Sequence, residues 1–151
     1  MIAKYKDIYC NVNLSKTPVR IWIYHPIEGF EKGVTARGTV YYEKFVELDE
    51  IEEVFDVGFS VCWDGEWCGI FYSAPEELLS LVTDNQDFAI AHGMYEFEYT
   101  MFRCALPASM FKEYRMWKSV LHEESTYTML SYEEFKVLWK LMVSDLIPDR
   151  P

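Results

Sequence analysis

Carboxylates are the most concentrated chemical groups in this chain, and six of them fall within ten residues. The run ELDEIEEVFD carries Glu47, Asp49, Glu50, Glu52, Glu53 and Asp56. Like charges at this density cost stability, because neighbouring carboxylates repel one another. Such a run is therefore either a well-solvated surface or a site that a cationic group covers. It lacks the glycine and the ligand spacing of a calcium loop, so it does not predict a calcium site.

Histidines and cysteines are the other groups that could do chemistry, and their spacing matches no metal motif. His25, His92 and His122 lie far apart, and the segment after His122 does not follow the H-E-x-x-H pattern. The cysteines form no C-x-x-C pair, which argues against zinc; they are Cys10, Cys62, Cys68 and Cys104. We expect reduced, mostly buried thiols. A cysteine nucleophile with a distant His and Asp stays open, because triads assemble only in three dimensions.

Known catalytic and nucleotide-binding patterns are also missing from the sequence. There is no G-x-S-x-G elbow, no P-loop and no G-x-G-x-x-G fingerprint. Paired acids of the glycosidase kind could be assembled from Glu43, Glu96 and Glu98, but in so acidic a chain that coincidence is expected by chance. The sequence therefore predicts a protein that is not an enzyme and that uses no cofactor and no metal.

The charge balance narrows the class of partner. The 151 residues include 25 acidic and 14 basic side chains, for a formal net charge of -11. Phosphate backbones and anionic lipids both require basic surfaces, so we expect no direct nucleic-acid contact and no membrane contact. A basic protein partner fits this sign. The N-terminal residues show no apolar signal segment, which together with the cysteine usage predicts a cytoplasmic location.

One hairpin organises the predicted elements. Residues 57–72 read as two strands joined by Asp64-Gly65, the strongest short hairpin signal. A two-residue turn pairs Trp63 with Glu66, Cys62 with Trp67 and Val61 with Cys68. One face is then almost wholly apolar, while the other carries small residues with Trp67 and Phe71 above them. That second face is either covered by another layer or part of a docking surface, since aromatic residues anchor interfaces.

The remaining elements surround this hairpin. We expect strands over residues 3–14, 19–25, 38–46 and 95–104, with 27–36 as a loop and 88–92 undecided. We expect helices over residues 47–56, 73–83 and 107–122, and a last helix opened by the capping box at Ser131 and Glu134. Pro148 and Pro151 should close the chain. The predicted fold is a single α+β domain, residues 1–151, with a mainly antiparallel sheet of five to six strands and helices on one face, two of them C-terminal.

These observations lead to three functional expectations. The first is a cytosolic binding protein that inhibits a basic protein, of the immunity kind that blocks the nucleic-acid cleft of a nuclease toxin. The second is a phage protein that mimics nucleic acid against a host defence nuclease. The third is a small-ligand-binding domain or enzyme with a pocket between sheet and helices. For the first, the predicted partner-binding residues are Glu47, Asp49, Glu50, Glu52, Glu53, Asp56, Trp67 and Phe71.

Overall fold

A computed structural model describes residues 1–148 as a chain rich in antiparallel strands. Pro151, expected to help close the chain, lies outside the described residues. The strands are β1 (Ile2–Tyr5), β2 (Ile8–Asn13), β3 (Val19–Ile23), β4 (Glu31–Val34), β5 (Val40–Val46), β6 (Glu53–Trp63), β7 (Glu66–Ser73), β8 (Leu78–Thr83), β9 (Tyr95–Glu98), β10 (Met101–Pro107), β11 (Tyr114–Val120) and β12 (Thr126–Leu130). The helices are α1 (Gln86–Ala91) and α2 (Tyr132–Met142), with short 3-10 turns at Leu48–Glu50, Ala108–Met110 and Ser144–Leu146.

The expected fold of five to six strands with helices on one face is wrong. Twelve strands hold 50% of the residues and helical turns only 18%, with one substantial helix, near the C-terminus. The described residues divide into two compact units. The first comprises residues 1–57, 118–125 and 137–148, and the second comprises 58–117 and 126–136. Strands β6 and β11 and helix α2 contribute residues to both units.

In the first unit the strands follow the order β4-β5-β3-β2-β1-β6, each antiparallel to its neighbour. Its core is mainly aliphatic, with Ile21 fully buried at the middle strand. The members of this cluster are Ala3, Tyr5, Cys10, Val12, Val19, Ile21 and Val46. Burial alternates along β3, as expected for a strand with one face on the core.

In the second unit the order is β6-β7-β8-β10-β9, and β11 pairs with β6 and β12. The predicted hairpin is confirmed: Trp63 pairs with Glu66, Cys62 with Trp67 and Val61 with Cys68. Asp64 and Gly65 both have positive φ, as a type I′ turn requires. The core of this unit is aromatic. Phe135 stacks on Tyr114, with ring centroids 4.7 Å apart, and meets Phe59 and Tyr72 edge-on.

Three predicted helices are strands or turns. Residues 47–56 form the 3-10 turn and the start of β6. In residues 73–83, the sequence that resembles a capping box falls at the β7–β8 turn, where Glu77 has positive φ, and Leu79, Leu81 and Thr83 alternate into the core. In residues 107–122, the stripe at helical spacing does not form one buried face. Tyr114 is buried, whereas Met110 and Leu121 are exposed. The aromatic residues there favour a strand, and sheet pairing outweighs the helical spacing.

The smaller differences come from tight turns. Residues 3–14 hold β1 and β2, because Lys6 and Asp7 adopt positive φ and reverse the chain. Residues 95–104 likewise turn at Tyr99-Thr100, and the expected loop 27–36 contains β4. The undecided segment 88–92 lies largely in α1. The last helix and its capping box are confirmed: Glu134 N donates to Ser131 Oγ at 3.1 Å, and Ser131 N donates to Glu134 Oε1 at 2.9 Å.

Candidate functional site

All six carboxylates of the acidic run lie in the first unit, but three of them already have cationic partners. Lys4 Nζ lies 3.6 Å from Glu52 Oε2, and the N-terminal amine lies 3.5 Å from Asp56 Oδ1. Lys118 pairs with Glu53 and also lies over the ring of Phe55. These cations come from β1 and β11, strands far away in sequence. They neutralise the part of the run that enters β6.

The other three carboxylates, Glu47, Asp49 and Glu50, are exposed and have no ion pair among residues 1–148. We call them the acidic turn. The 3-10 turn holds them together, because Glu47 N donates to Glu50 Oε2 at 2.7 Å. Glu50 therefore has a positioning role as well as a charge. The structure reduces the predicted six-residue acidic face to this compact group of three.

An apolar groove of about 220 Å³ borders the acidic turn. Leu48, which stands between the three carboxylates in sequence, is 62% exposed and lines the groove with Leu121, Leu14 and Val19. Glu47 contributes to the same groove, and so does one cation, Lys16. A single exposed leucine is ordinary on a protein surface, but exposed apolar side chains that line one groove, as Leu48 and Leu121 do, suit contact with a partner. Carboxylates beside an apolar groove can bind a segment that carries both cationic and apolar side chains.

The two predicted aromatic anchors, Trp67 and Phe71, lie in the second unit. Phe71 is half exposed, whereas Trp67 is half buried and has the guanidinium of Arg115 over its ring at 4.2 Å. Arg115 also lies over Tyr127 at 4.6 Å. On the same strand face, the ring of Trp117 packs directly on Gly58. Residues of β11 thus cover much of the hairpin face that carries Trp67 and Phe71, which we expected to be either covered by another layer or part of a docking surface.

A second concave site occurs in the first unit, with a volume of about 420 Å³. Its apolar lining includes Ile8, Ile23 and Leu141. Asp145, whose side chain is only 17% exposed, lines it too and accepts from Lys140 at 3.0 Å, with His25 Nε2 3.7 Å away. Its size falls within the range of small-molecule sites. His25, Lys140 and Asp145 contact one another, whereas Asp7, which also lines the site, has no ion pair within residues 1–148.

His92 makes the tightest histidine contact. Its Nε2 lies 2.8 Å from Asp64 Oδ2, and its Nδ1 lies 2.8 Å from the carbonyl oxygen of Phe88. Both partners accept, so the doubly protonated ring satisfies both, and the hydrogen bond to Asp64 is the main reason that the pKa of His92 is raised. Both ring nitrogens already face acceptors, so neither is free to accept a proton from a substrate. His92 therefore reads as a structural link between the hairpin turn and the end of α1.

Three of the four thiols are poorly suited to nucleophilic chemistry. Burial raises the pKa of Cys10 and of Cys68 to about 12, and burial also raises the pKa of Cys104. The thiolate is the reactive form of cysteine, so these groups are almost wholly inert near neutral pH. Within residues 1–148, no hydrogen bond joins a cysteine to a histidine.

Comparisons of the chain with protein-family models, with curated proteins and with solved structures return no match. Over residues 1–148, no helix has the length and apolar character needed to cross a membrane. In the same part of the chain, no three His, Cys, Asp or Glu side chains are grouped so as to hold a metal ion. Function therefore has to be inferred from the geometry of the molecule.

Sequence reasoning missed both concave sites and the neutralisation of the acidic run. The groove draws its lining from Leu14, Val19, Leu48 and Leu121, which belong to three separate segments. Nothing local marks Lys118 as the partner of Glu53, 65 positions away. The one available signal was Leu48, an apolar residue with carboxylates on either side in the sequence.

Proposed function

We propose that this protein is an acidic binding protein that inhibits a basic protein partner, of the kind in which an immunity protein blocks the nucleic-acid cleft of a nuclease toxin. The observation that supports the proposal is the acidic turn: three exposed carboxylates without an ion pair among the described residues, of which Glu47 lines an apolar groove. The carboxylates would take the place of phosphates against lysine and arginine side chains of the partner.

The mode of binding follows from the exposed groups. Opposite charges steer the encounter and speed association, while a buried apolar contact slows dissociation. Leu48 and Leu121 supply that apolar contact on this side, next to Glu47. Glu52, Glu53 and Asp56 have internal cations and would contribute less, so the binding site that we propose in the first unit is smaller than the predicted run.

The experiment begins with affinity capture from the source cells and mass spectrometry, which supplies a candidate partner in purified form. Its nuclease activity and its affinity for this protein are then measured over a range of NaCl concentrations. The variant Glu47→Gln/Asp49→Asn removes two charges and leaves Glu50 in place to hold the turn. We expect about tenfold weaker binding and a shallower salt dependence, because interfacial charge pairs contribute on this scale.

A matched control removes the same charge elsewhere in the first unit. Glu28 and Glu31 are exposed and have no ion pair among the described residues, so Glu28→Gln/Glu31→Gln should leave affinity within about twofold, as exposed rim charges do. Charge reversal at Glu53 is a poor test, because it would place two cations together at Lys118. Equal losses in both variants, or none in either, would remove the acidic turn from the binding site.

A second candidate function rests on the 420 Å³ site, whose size and mainly apolar lining suit a small organic ligand. Its test is a panel of aromatic amines and aromatic carboxylates added to methyl-labelled protein. Specific shifts at Ile8 and Ile23, abolished in Leu141→Trp, would support it. If the methyl signals stay unchanged across the panel while the variant remains folded, this candidate fails.

A further inference from the structure

The 420 Å³ site of the first unit combines an apolar lining with one carboxylate that has no ion-pair partner. Ile8, Ile23, Ile27 and Leu141 supply branched apolar side chains. Asp7 lines the same site, is exposed and has no ion pair within residues 1–148. An apolar site with a single unpaired charge suits a ligand that has an apolar body and one group of the opposite charge.

The other charged groups of this site are already engaged with one another. Lys140 Nζ lies 3.0 Å and 3.1 Å from the two carboxylate oxygens of Asp145, and His25 Nε2 lies 3.7 Å from Asp145 Oδ2. Lys140 thus neutralises Asp145, and the charge that remains is that of Asp7. An anionic ligand would have to displace Asp145 from Lys140 and would be repelled by Asp7. The site therefore favours a cation.

Local structure leaves the carboxylate of Asp7 available. Lys6 and Asp7 form the tight turn between β1 and β2, where both have positive φ. Lys6 is the nearest cation in sequence, but its Nζ lies over the ring of Tyr5, 5.4 Å from the centroid. Lys44 Nζ lies 5.5 Å from the centroid of the same ring. Both lysines therefore contact a ring, and among the described residues neither forms an ion pair with Asp7.

The kind of cation follows from the groups that would contact it. A primary ammonium suits a carboxylate, because its N–H groups donate charge-assisted hydrogen bonds to the carboxylate oxygens. A quaternary ammonium has no N–H to donate and is bound instead by cages of aromatic rings. Among the described residues that line this site, Tyr9 is the only Phe, Tyr or Trp, so the site does not form such a cage.

We propose that this site binds a primary amine with an apolar body, of the arylalkylamine class, with the ammonium group on Asp7 and the body against Ile8, Ile23 and Leu141. The proposal rests on the second candidate function and adds to it the charge and chemical class of the ligand. Leu141 is 40% exposed, and an apolar body that covers it would remove this surface from water. The net charge of -11 acts in the same direction, because it attracts cations to the chain.

The test uses the full chain, labelled at its Ile and Leu methyl groups, and probes that share one body but differ in the end group. They are 2-phenylethylamine, its N,N,N-trimethyl form, 2-phenylethanol and 3-phenylpropanoate. Each is titrated at about 0.15 M NaCl, which screens long-range attraction. We expect shifts at Ile8, Ile23 and Leu141 with the primary amine, about fivefold weaker binding of the trimethyl form and the alcohol, and the weakest binding of the carboxylate.

Matched variants test the role of Asp7. Asp7→Asn removes the charge and keeps a residue type that tolerates positive φ, so the turn should still form. We expect it to weaken the amine about five- to tenfold and to leave the affinity for the alcohol unchanged. Glu124→Gln removes one exposed charge from the same unit outside this site and should leave affinity for the amine within about twofold.

The outcomes separate this proposal from the candidate function on which it rests. If another probe binds as tightly as the primary amine at the same methyl groups, the site takes small ligands but does not select primary amines, and the proposal is wrong. Equal affinity of wild type, Asp7→Asn and Glu124→Gln for the amine would exclude Asp7 as the anchor and overturn it too. Unchanged methyl signals with all of the probes would overturn both the proposal and the candidate function.

Discussion

The two units of the molecule use their cations differently. In the first unit Lys4, Arg20, Lys118 and Lys140 each reach a carboxylate. In the second unit Lys136 also reaches a carboxylate, that of Glu133. Both of its arginines, Arg103 and Arg115, lie on aromatic rings instead and have no carboxylate partner among the described residues. Arg20 and Lys118 of the first unit contact both a carboxylate and an aromatic ring, whereas the two arginines of the second unit contact rings alone and neutralise none of its acids.

The difference shows that a run of acidic residues in the sequence does not identify the more acidic part of the folded chain. The first unit holds the conspicuous run but has nine basic residues for thirteen acidic ones, counted over residues 1–57, 118–125 and 137–148. The second unit has four basic residues for eleven acidic ones, scattered along 58–117 and 126–136. The unit without a run is therefore the more acidic of the two, and its free carboxylates include those on β9.

The largest expected loss of stability comes from removing one side chain from the core of each unit. Phe135→Ala in the aromatic core should cost about 3–5 kcal/mol and Ile21→Ala in the aliphatic core about 2–5 kcal/mol, because both side chains are fully buried. If the chain is the single domain that we expect from its length, each variant shifts one common urea transition. Two separate transitions in far-UV circular dichroism, each sensitive to one variant, would instead make the units independent folding units.

A smaller loss of stability is expected from substituting two glycines that lie beneath aromatic rings. A Cβ on Gly58 would overlap the indole of Trp117, which is half buried, so Gly58→Ala should cost about 1–3 kcal/mol. On Gly33 it would overlap the far end of Tyr41, beside edge strand β4, where the ring can swing away. Gly33→Ala should therefore cost less in the same urea experiment. Equal costs would show that Tyr41 is held as firmly as Trp117.

The smallest effect concerns pH. The pKa of His92 is raised in the folded chain, so the stabilisation by His92 is complete below its unfolded pKa of about 6.5 and is lost as pH rises through the folded value. Asp64→Asn removes the partner charge and keeps a residue suited to the type I′ turn. The stability gap between wild type and variant should be widest below about pH 6.5 and should shrink as pH rises through the raised pKa of folded His92. NMR titration of His92 is the direct measurement, and an unchanged pKa in the variant would exclude Asp64 as the cause.

The parts of the fold that sequence could predict are those that local chemistry decides. Asp64-Gly65 sets the turn type and hence the whole register of β6 with β7. The box at Ser131 and Glu134 likewise starts a helix whose Phe135, Trp139 and Met142 are buried at helical spacing. The strand at Tyr114–Val120 has comparable spacing, but its pairing with β6 and β12 comes from segments that a local pattern does not include.

The candidate sites are likewise determined by residues that lie far apart in the sequence. The position of the carboxylates at Glu47, Asp49 and Glu50 was predicted, but which acids stay free depends on Lys4, Lys118 and the N-terminal amine. The unpaired edge of β9 was even harder to predict from the sequence. Alternation in residues 95–104 predicted a strand, yet only the sheet order shows that Tyr95–Glu98 has no neighbour on one side.

The ring of Trp63 meets that of His92 edge-on, with centroids 4.6 Å apart. Protonated imidazole quenches indole emission at such range, so the indole at the hairpin tip is an intrinsic optical reporter of the charge on its neighbour. Because the chain has five tryptophans, we expect only the part of its emission that comes from Trp63 to report on the junction between the hairpin turn and α1.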